Sequence, residues 1–148
     1  MATNFLWGAV GSKMALLTTE LNALGVSTLT ALGPEISNTS GFQYGQLYLH
    51  LASAAFVAGN AAAVYLVPSN DTAGSIYPTF TSAAAAGLGN YLVGVIQING
   101  STAAQDEILR NVNIPLGKFK ALLQTVTGTP TLGGTLNTLD LYPTPTQY

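Results

Sequence analysis

Gln46-Leu47-Tyr48-Leu49-His50-Leu51 places a leucine at every second position, with a polar or amphipathic residue between each pair. Side chains of an extended strand point to alternate faces, so this stretch reads as a half-buried β-strand with its leucines inward. The same period of two governs the chain on either side. Ala63-Val64-Tyr65-Leu66-Val67 follows as a strand, and Pro68 to Ser75 is a loop dense in turn formers. Tyr91 to Ile98 is apolar on both faces and is expected to be a central strand of a sandwich. Glu107 to Ile114 alternates again, with Ile108, Val112 and Ile114 on one side, which places Arg110 with them. Pro115-Leu116-Gly117 interrupts it, because proline removes a ladder donor. Lys118 to Leu123 resumes with Phe119, Ala121 and Leu123 inward and both lysines outward. Thr127 to Gly134 reads as a loop, and Leu136 to Tyr142 as the last strand.

Upstream of this series, Ser12 to Gly25 is the one plausible helix. Leu16, Leu17, Glu20, Leu21 and Leu24 have roughly helical spacing, Ser12 is placed to cap it and Gly25 to stop it. The same residues also admit an extended reading. Val26 to Leu32, rich in Thr and Val, reads as a first strand. About seven to eight short strands, with at most one short helix, predict an all-β chain: a β-sandwich or jelly roll. Residues 1–148 are expected to form a single domain, with an N-terminal arm over 1–11 and an extended, proline-spaced C-terminal tail over 143–148.

The composition is unusual for such a domain. Only 7% of the residues are charged, against 48% hydrophobic. A small soluble domain usually carries about 25–35% charged residues on its surface. Much of this surface is therefore expected to be Ser, Thr, Asn, Ala and Tyr, a covering suited to contact with neighbouring subunits. The cations number four, Lys13, Arg110, Lys118 and Lys120, too few and too scattered for the phosphate contacts of a nucleic-acid binder. With no cysteine, disulfides and thiolate metal sites are excluded. The N-terminus lacks the positive start and cleavage pattern of a secretory signal. Leu51 to Pro68 is apolar, but Gly59-Asn60 is turn chemistry in its middle, and Ala83 to Ile98 falls short of the ~20 residues of a span. No membrane segment is expected.

Residues able to do chemistry are sparse. His50 is the single histidine and reads as a surface residue beside Tyr48 and Gln46; catalysis would need it in a pocket beside a carboxylate. No serine sits in a Gly-x-Ser-x-Gly elbow. Asp106 is expected to mark a turn and Glu107 a solvated strand start. Asn70 to Ser75 carries one carboxylate and reads as an ordinary loop rather than a calcium site. Asn38-Thr39-Ser40, Asn70-Asp71-Thr72 and Asn99-Gly100-Ser101 match the glycosylation pattern by chance in a chain rich in these residues. Lys118 and Lys120 read as guards of an edge strand, with a salt bridge to an acidic neighbour as the alternative. Arg110 is expected to snorkel or to pair with Asp140 or Glu107. No catalytic residue, cofactor or metal site is assigned.

Several stretches carry a resemblance. They are Leu47 to Phe80, with its leucine strand, Val64-Tyr65-Leu66-Val67-Pro68-Ser69 and an Asp-containing loop; Ile114 to Leu123, followed by Thr127-Gly128 and Gly134-Thr135-Leu136-Asn137; and Leu16 to Leu24 with Gly33 to Asn38. Together they resemble small virion structural proteins of tailed bacteriophages, with the usual Asp-Gly turn lengthened here to Asp71-Thr72-Ala73-Gly74. The resemblance implies a sandwich of the capsid decoration (cement) type, bound to the major capsid protein or another virion protein on the outside of the head. It carries over no functional residue. The physical reading agrees with a symmetric homo-oligomer, such as a trimer, with no nucleic-acid or membrane partner. Low charge and abundant aromatics suit interface cores, and Phe5, Trp7, Tyr142 and Tyr148 are the candidate anchors. The alternatives are a phage tail or head-fibre component, a cellular filament or pilin-like subunit forming open fibres, and a carbohydrate-binding module with aromatics lining one face.

Overall fold

Eight strands form, in chain order β1 (Met14–Leu17), β2 (Ile36–Asn38), β3 (Tyr44–Leu51), β4 (Ala61–Pro68), β5 (Leu92–Gln97), β6 (Gln105–Asn113), β7 (Gly117–Thr125) and β8 (Thr138–Thr144). The structure, a computed structural model, describes residues 11–71, 76–82, 85–126 and 128–144. Strand pairing follows one rule: β1 joins β8, β2 joins β7, β3 joins β6 and β4 joins β5, all antiparallel. The chain is thus a long hairpin rolled on itself. Further pairs, β3 with β8 and β4 with β7, complete two four-stranded sheets, ordered β1-β8-β3-β6 and β2-β7-β4-β5. That order is a jelly roll, the expected fold class.

The inward leucines of β3 work as their period demands. Leu47, Leu49 and Leu51 are fully buried, with Leu139 and Leu141 of β8 on the same sheet and Phe119, Ala121 and Leu123 of β7 also in the cluster between the sheets. Each leucine or phenylalanine buried in this way is worth about 1.5–3 kcal/mol. β4 is buried along almost its whole length because its outer face is covered as well. Ala63, Tyr65 and Val67 meet Leu122 and Leu88 there, beneath Leu29, Leu32, Phe80 and Tyr91. The second sheet is therefore dressed by loops of its own chain. The first is not.

Four expectations fail in instructive ways. Ser12 to Gly25 is not a helix: it gives β1 and a single 3₁₀ turn, Thr19–Leu21. Leu16 and Leu17 are both fully buried, and Met14, Ala15 and Leu17 find partners on β8 that no local spacing announces. Val26 to Leu32 forms no strand: it meets β7 at the single Leu29–Gln124 bridge and through hydrogen bonds of Thr28 with Thr125 and of Thr30 with Leu123, and it serves as cover for the second sheet. β5 is an edge strand rather than a central one, so Leu92 and Val95 are 46% and 40% exposed. Pro143 and Thr144, expected in a tail, extend β8 opposite Gly45 and Tyr44. β1 ends opposite Leu141, so only one neighbouring strand remains beside Pro143, and a missing donor is tolerated there.

Buried polar side chains hold the loops. Asn38 Nδ2 donates to the Phe42 and Pro115 carbonyls while its Oδ1 accepts from the Phe42 N–H. Asn60 joins Val57 to Gly128, and Asn137 joins Ala52 to Gly133. Thr129 both accepts from and donates to the backbone of Ala61. Part of the Asn and Thr content expected at the surface is thus spent inside, replacing the backbone partners that loops lack.

Candidate interaction surface

The outer face of the β1-β8-β3-β6 sheet gathers most of the residues singled out in the sequence. Alternation along β3 turns Tyr44, Gln46, Tyr48 and His50 outward, opposite the leucines. Register then sets Tyr48 beside Ile108 and Asp140, His50 beside Asp106 and Thr138, and Gln46 beside Tyr142. The Tyr48 and Tyr142 rings meet edge to face with centroids 6.2 Å apart. Such pairs contribute about 0.5–1.5 kcal/mol beyond their burial and hold both rings in place. Tyr44, Ile108 and Tyr142 are 48%, 46% and 38% exposed.

Two acid–base contacts lie on this face, while the outward Arg110 has no carboxylate partner among the described residues. Lys13 Nζ lies 3.2 Å from Asp140 Oδ2, and His50 Nδ1 lies 2.6 Å from Asp106 Oδ1. Loss of hydration, then the charge and hydrogen bonding of Asp106 and the proximity of Tyr142, push the Tyr48 hydroxyl above its ordinary pKa. His50 therefore does have a carboxylate partner, on a sheet face where both groups reach water. Asp106 lies within β6, not in a turn, and Glu107 accepts hydrogen bonds from the backbone and side chain of Asn99, closing the loop before the strand.

Of the four candidate anchors, Tyr142 is on this face; Phe5, Trp7 and Tyr148 lie outside the described residues. Sequence reasoning missed Tyr44 and put Ile108 inward. The reason is a β-bulge: Leu109 faces Leu47 and Val112 faces Gly45, so Arg110 and Asn111 together oppose Gln46. The extra residue reverses the alternation, leaving Ile108 and Arg110 outward while Val112 stays in the core. Asp140 is taken by Lys13 and Glu107 by Asn99, and among the described residues no carboxylate pairs with Arg110.

The two remaining lysines do not guard an edge, since β7 runs between β2 and β4. Lys118 Nζ lies 2.8 Å from Glu35 Oε1, Tyr77 donates its hydroxyl proton to Glu35 at 2.9 Å, and Lys120 sits 4.9 Å from the Tyr77 ring centroid. This knot ties the loop at Tyr77 to β7. The Lys118 ammonium and then the Tyr77 hydroxyl hold Glu35 below its ordinary pKa. Desolvation and the Glu35 hydrogen bond push Tyr77 up to about 12. A raised folded-state pKa means that the contribution of Tyr77 is complete below the free phenol value near 10 and is lost as pH rises through about 12. Thermal melts between those limits are expected to fall more steeply for the wild type than for Tyr77→Phe; equal slopes would contradict the linkage.

Asp71 accepts from Ser69 Oγ and from the Ile76 N–H, and so acts as a loop brace. Among the described residues no group of three or more His, Asp or Glu side chains is placed to hold a metal ion, and no helix is long and apolar enough to cross a membrane. Comparisons with protein-family models, curated proteins and solved structures give no match to this chain.

Proposed function

We propose that the chain is a structural protein of a bacteriophage virion, of the capsid decoration type, whose bare sheet face packs against neighbouring copies. One observation carries this reading: the two sheets are treated differently. The outer face of the second sheet is covered by the chain's own loops, whereas among the described residues the first presents Tyr44, Tyr48, Ile108 and Tyr142, with Lys13 paired to Asp140 and His50 to Asp106. Depleted net charge and exposed aromatics are what a contact surface presents. A closed oligomer would then bind the head through several subunits at once, and that multivalency compensates for weak individual contacts. Jelly rolls recur in viral capsid domains, an analogy of fold that agrees with the reading but does not carry it. The proposal assigns the protein no reaction. Its test is co-sedimentation with phage heads stripped of decoration protein. Saturable binding that protects the heads against heat or chelation is expected, and absence of binding would overturn the proposal.

A further inference from the structure

The free edges of the two sheets approach each other on one side of the sandwich, and there the molecule has a cleft. At Gly94 of β5 the edges touch: a Cβ at that position would come within 2.5 Å of the Leu109 side chain of β6. Beyond that contact both strands carry a bulge. On β5, Val93 is the extra residue between Gly94, which faces Val64, and Leu92, which faces Tyr65. On β6, the extra residue falls at Arg110 and Asn111, and Asn111 has a left-handed φ of 57°. Asn adopts that conformation more readily than other residues with a side chain. Bulges of this kind re-aim side chains next to functional sites. Here two of them, on strands from different sheets, border one opening of about 450 Å³, within the usual range for small-molecule sites.

The lining says what such a site can take. Asn90, Asn111 and Asn113 are exposed residues of the lining, and among the described residues none of their side-chain amides has a hydrogen-bond partner within the protein. Tyr91 is also among the lining residues, its ring fixed edge to face against Phe80 with centroids 5.6 Å apart in the outer cluster of the second sheet, and Val93 and Ile114 are among the apolar ones. No carboxylate, ammonium or guanidinium lines the cleft, so nothing in it selects an ion. Three amides would be left unsatisfied by a purely apolar ligand. Each amide offers two donors and an acceptor, which matches hydroxyl groups that both donate and accept. A fixed aromatic ring matches the C–H face of a sugar ring. We propose that this cleft binds a short neutral saccharide. The site borders the bare sheet face, since Asn113 pairs with Tyr44, but it does not depend on the virion reading.

The test is backbone-amide shift mapping by NMR on the full chain. The probes are maltose, cellobiose, lactose, mannobiose and N,N′-diacetylchitobiose at millimolar concentration, with sialyllactose and an uncharged tetrapeptide as comparisons. At least one neutral sugar is expected to shift amides of Asn90 to Val93 and Asn111 to Ile114. The double variant Asn111→Gly, Asn113→Ala is expected to bind that sugar about tenfold more weakly or worse. Glycine keeps the left-handed backbone at the bulge, so the melting temperature of the variant should stay close to wild type. The proposal is overturned if no neutral sugar shifts these amides, if the shifts fall on the Tyr48 and Tyr142 face instead, if only the charged sugar or the peptide binds, or if the variant binds as the wild type does.

Discussion

Phe119→Ala is expected to lower folding stability by about 3–5 kcal/mol, the usual loss when a buried aromatic is removed and its site cannot collapse. Phe119 is fully buried in the middle of the sandwich, on β7, with Ile36 of β2 on one flank and Pro68 of β4 on the other. β7 pairs with both neighbours, so relaxing into the void would mean shifting three strands together. Against a total of about 5–15 kcal/mol for a natural domain, that loss is a large fraction. It corresponds to a fall in melting temperature of roughly 6–20 °C for a chain of this size. The comparison is to be made at fixed protein concentration, since association adds to apparent stability. A loss below about 1 kcal/mol would mean that the core is not packed as described.

The second large effect concerns association rather than folding. Ile108→Lys combined with Tyr142→Lys puts two cations onto the bare sheet face, one on its edge strand β6 and one on β8. Both positions are exposed in the single chain, at 46% and 38%, so the fold should tolerate the change. Surface substitutions away from special features cost about 0.5 kcal/mol or less each; losing the edge-to-face contact of Tyr142 with Tyr48 adds about 0.5–1.5 kcal/mol. Buried between copies, the same two lysines would each need a partner, and the nearby carboxylates, Asp106 and Asp140, are already engaged by His50 and Lys13. The double variant is therefore expected to remain folded and to lose its self-association. A variant that associates as strongly as the wild type would move the contact to another part of the surface.

What could be read from the residues was whatever local periodicity decides. The leucine alternation of β3 and the Lys-Phe-Lys-Ala pattern of β7 announce both the strand and its inward face, because the inner face of each meets a dry core while polar residues take most of the outer positions, Leu122 under the covering loops excepted. β1 could not be read this way. Leu16, Leu17, Leu21 and Leu24 satisfy a helical spacing, and only the partner strand β8, far along the chain, makes Met14 to Leu17 extended. The outward turn of Ile108 depends on the bulge at Asn111, for which a lone Asn in a strand is a faint signal. Asn38, Asn60 and Asn137 looked like surface residues by composition, yet they are buried because loops need partners for their backbone groups. The exposed face of the first sheet was half legible. The polar side of β3 was evident, but the meeting of Tyr48 with Tyr142, and of His50 with Asp106, follows from the rolled-hairpin pairing, which no local pattern encodes.

The central claim is that a jelly roll with so little charge and one bare face exists as an assembly. The most direct test is the solution mass of the purified wild-type chain by light scattering, with negative-stain images of the same sample and the double lysine variant alongside. The account predicts a discrete closed particle at a small multiple of 15.2 kDa for the wild type, and a single chain for the variant. A well-behaved wild-type monomer at high concentration would contradict it, and open fibres would replace the closed assembly by a filament.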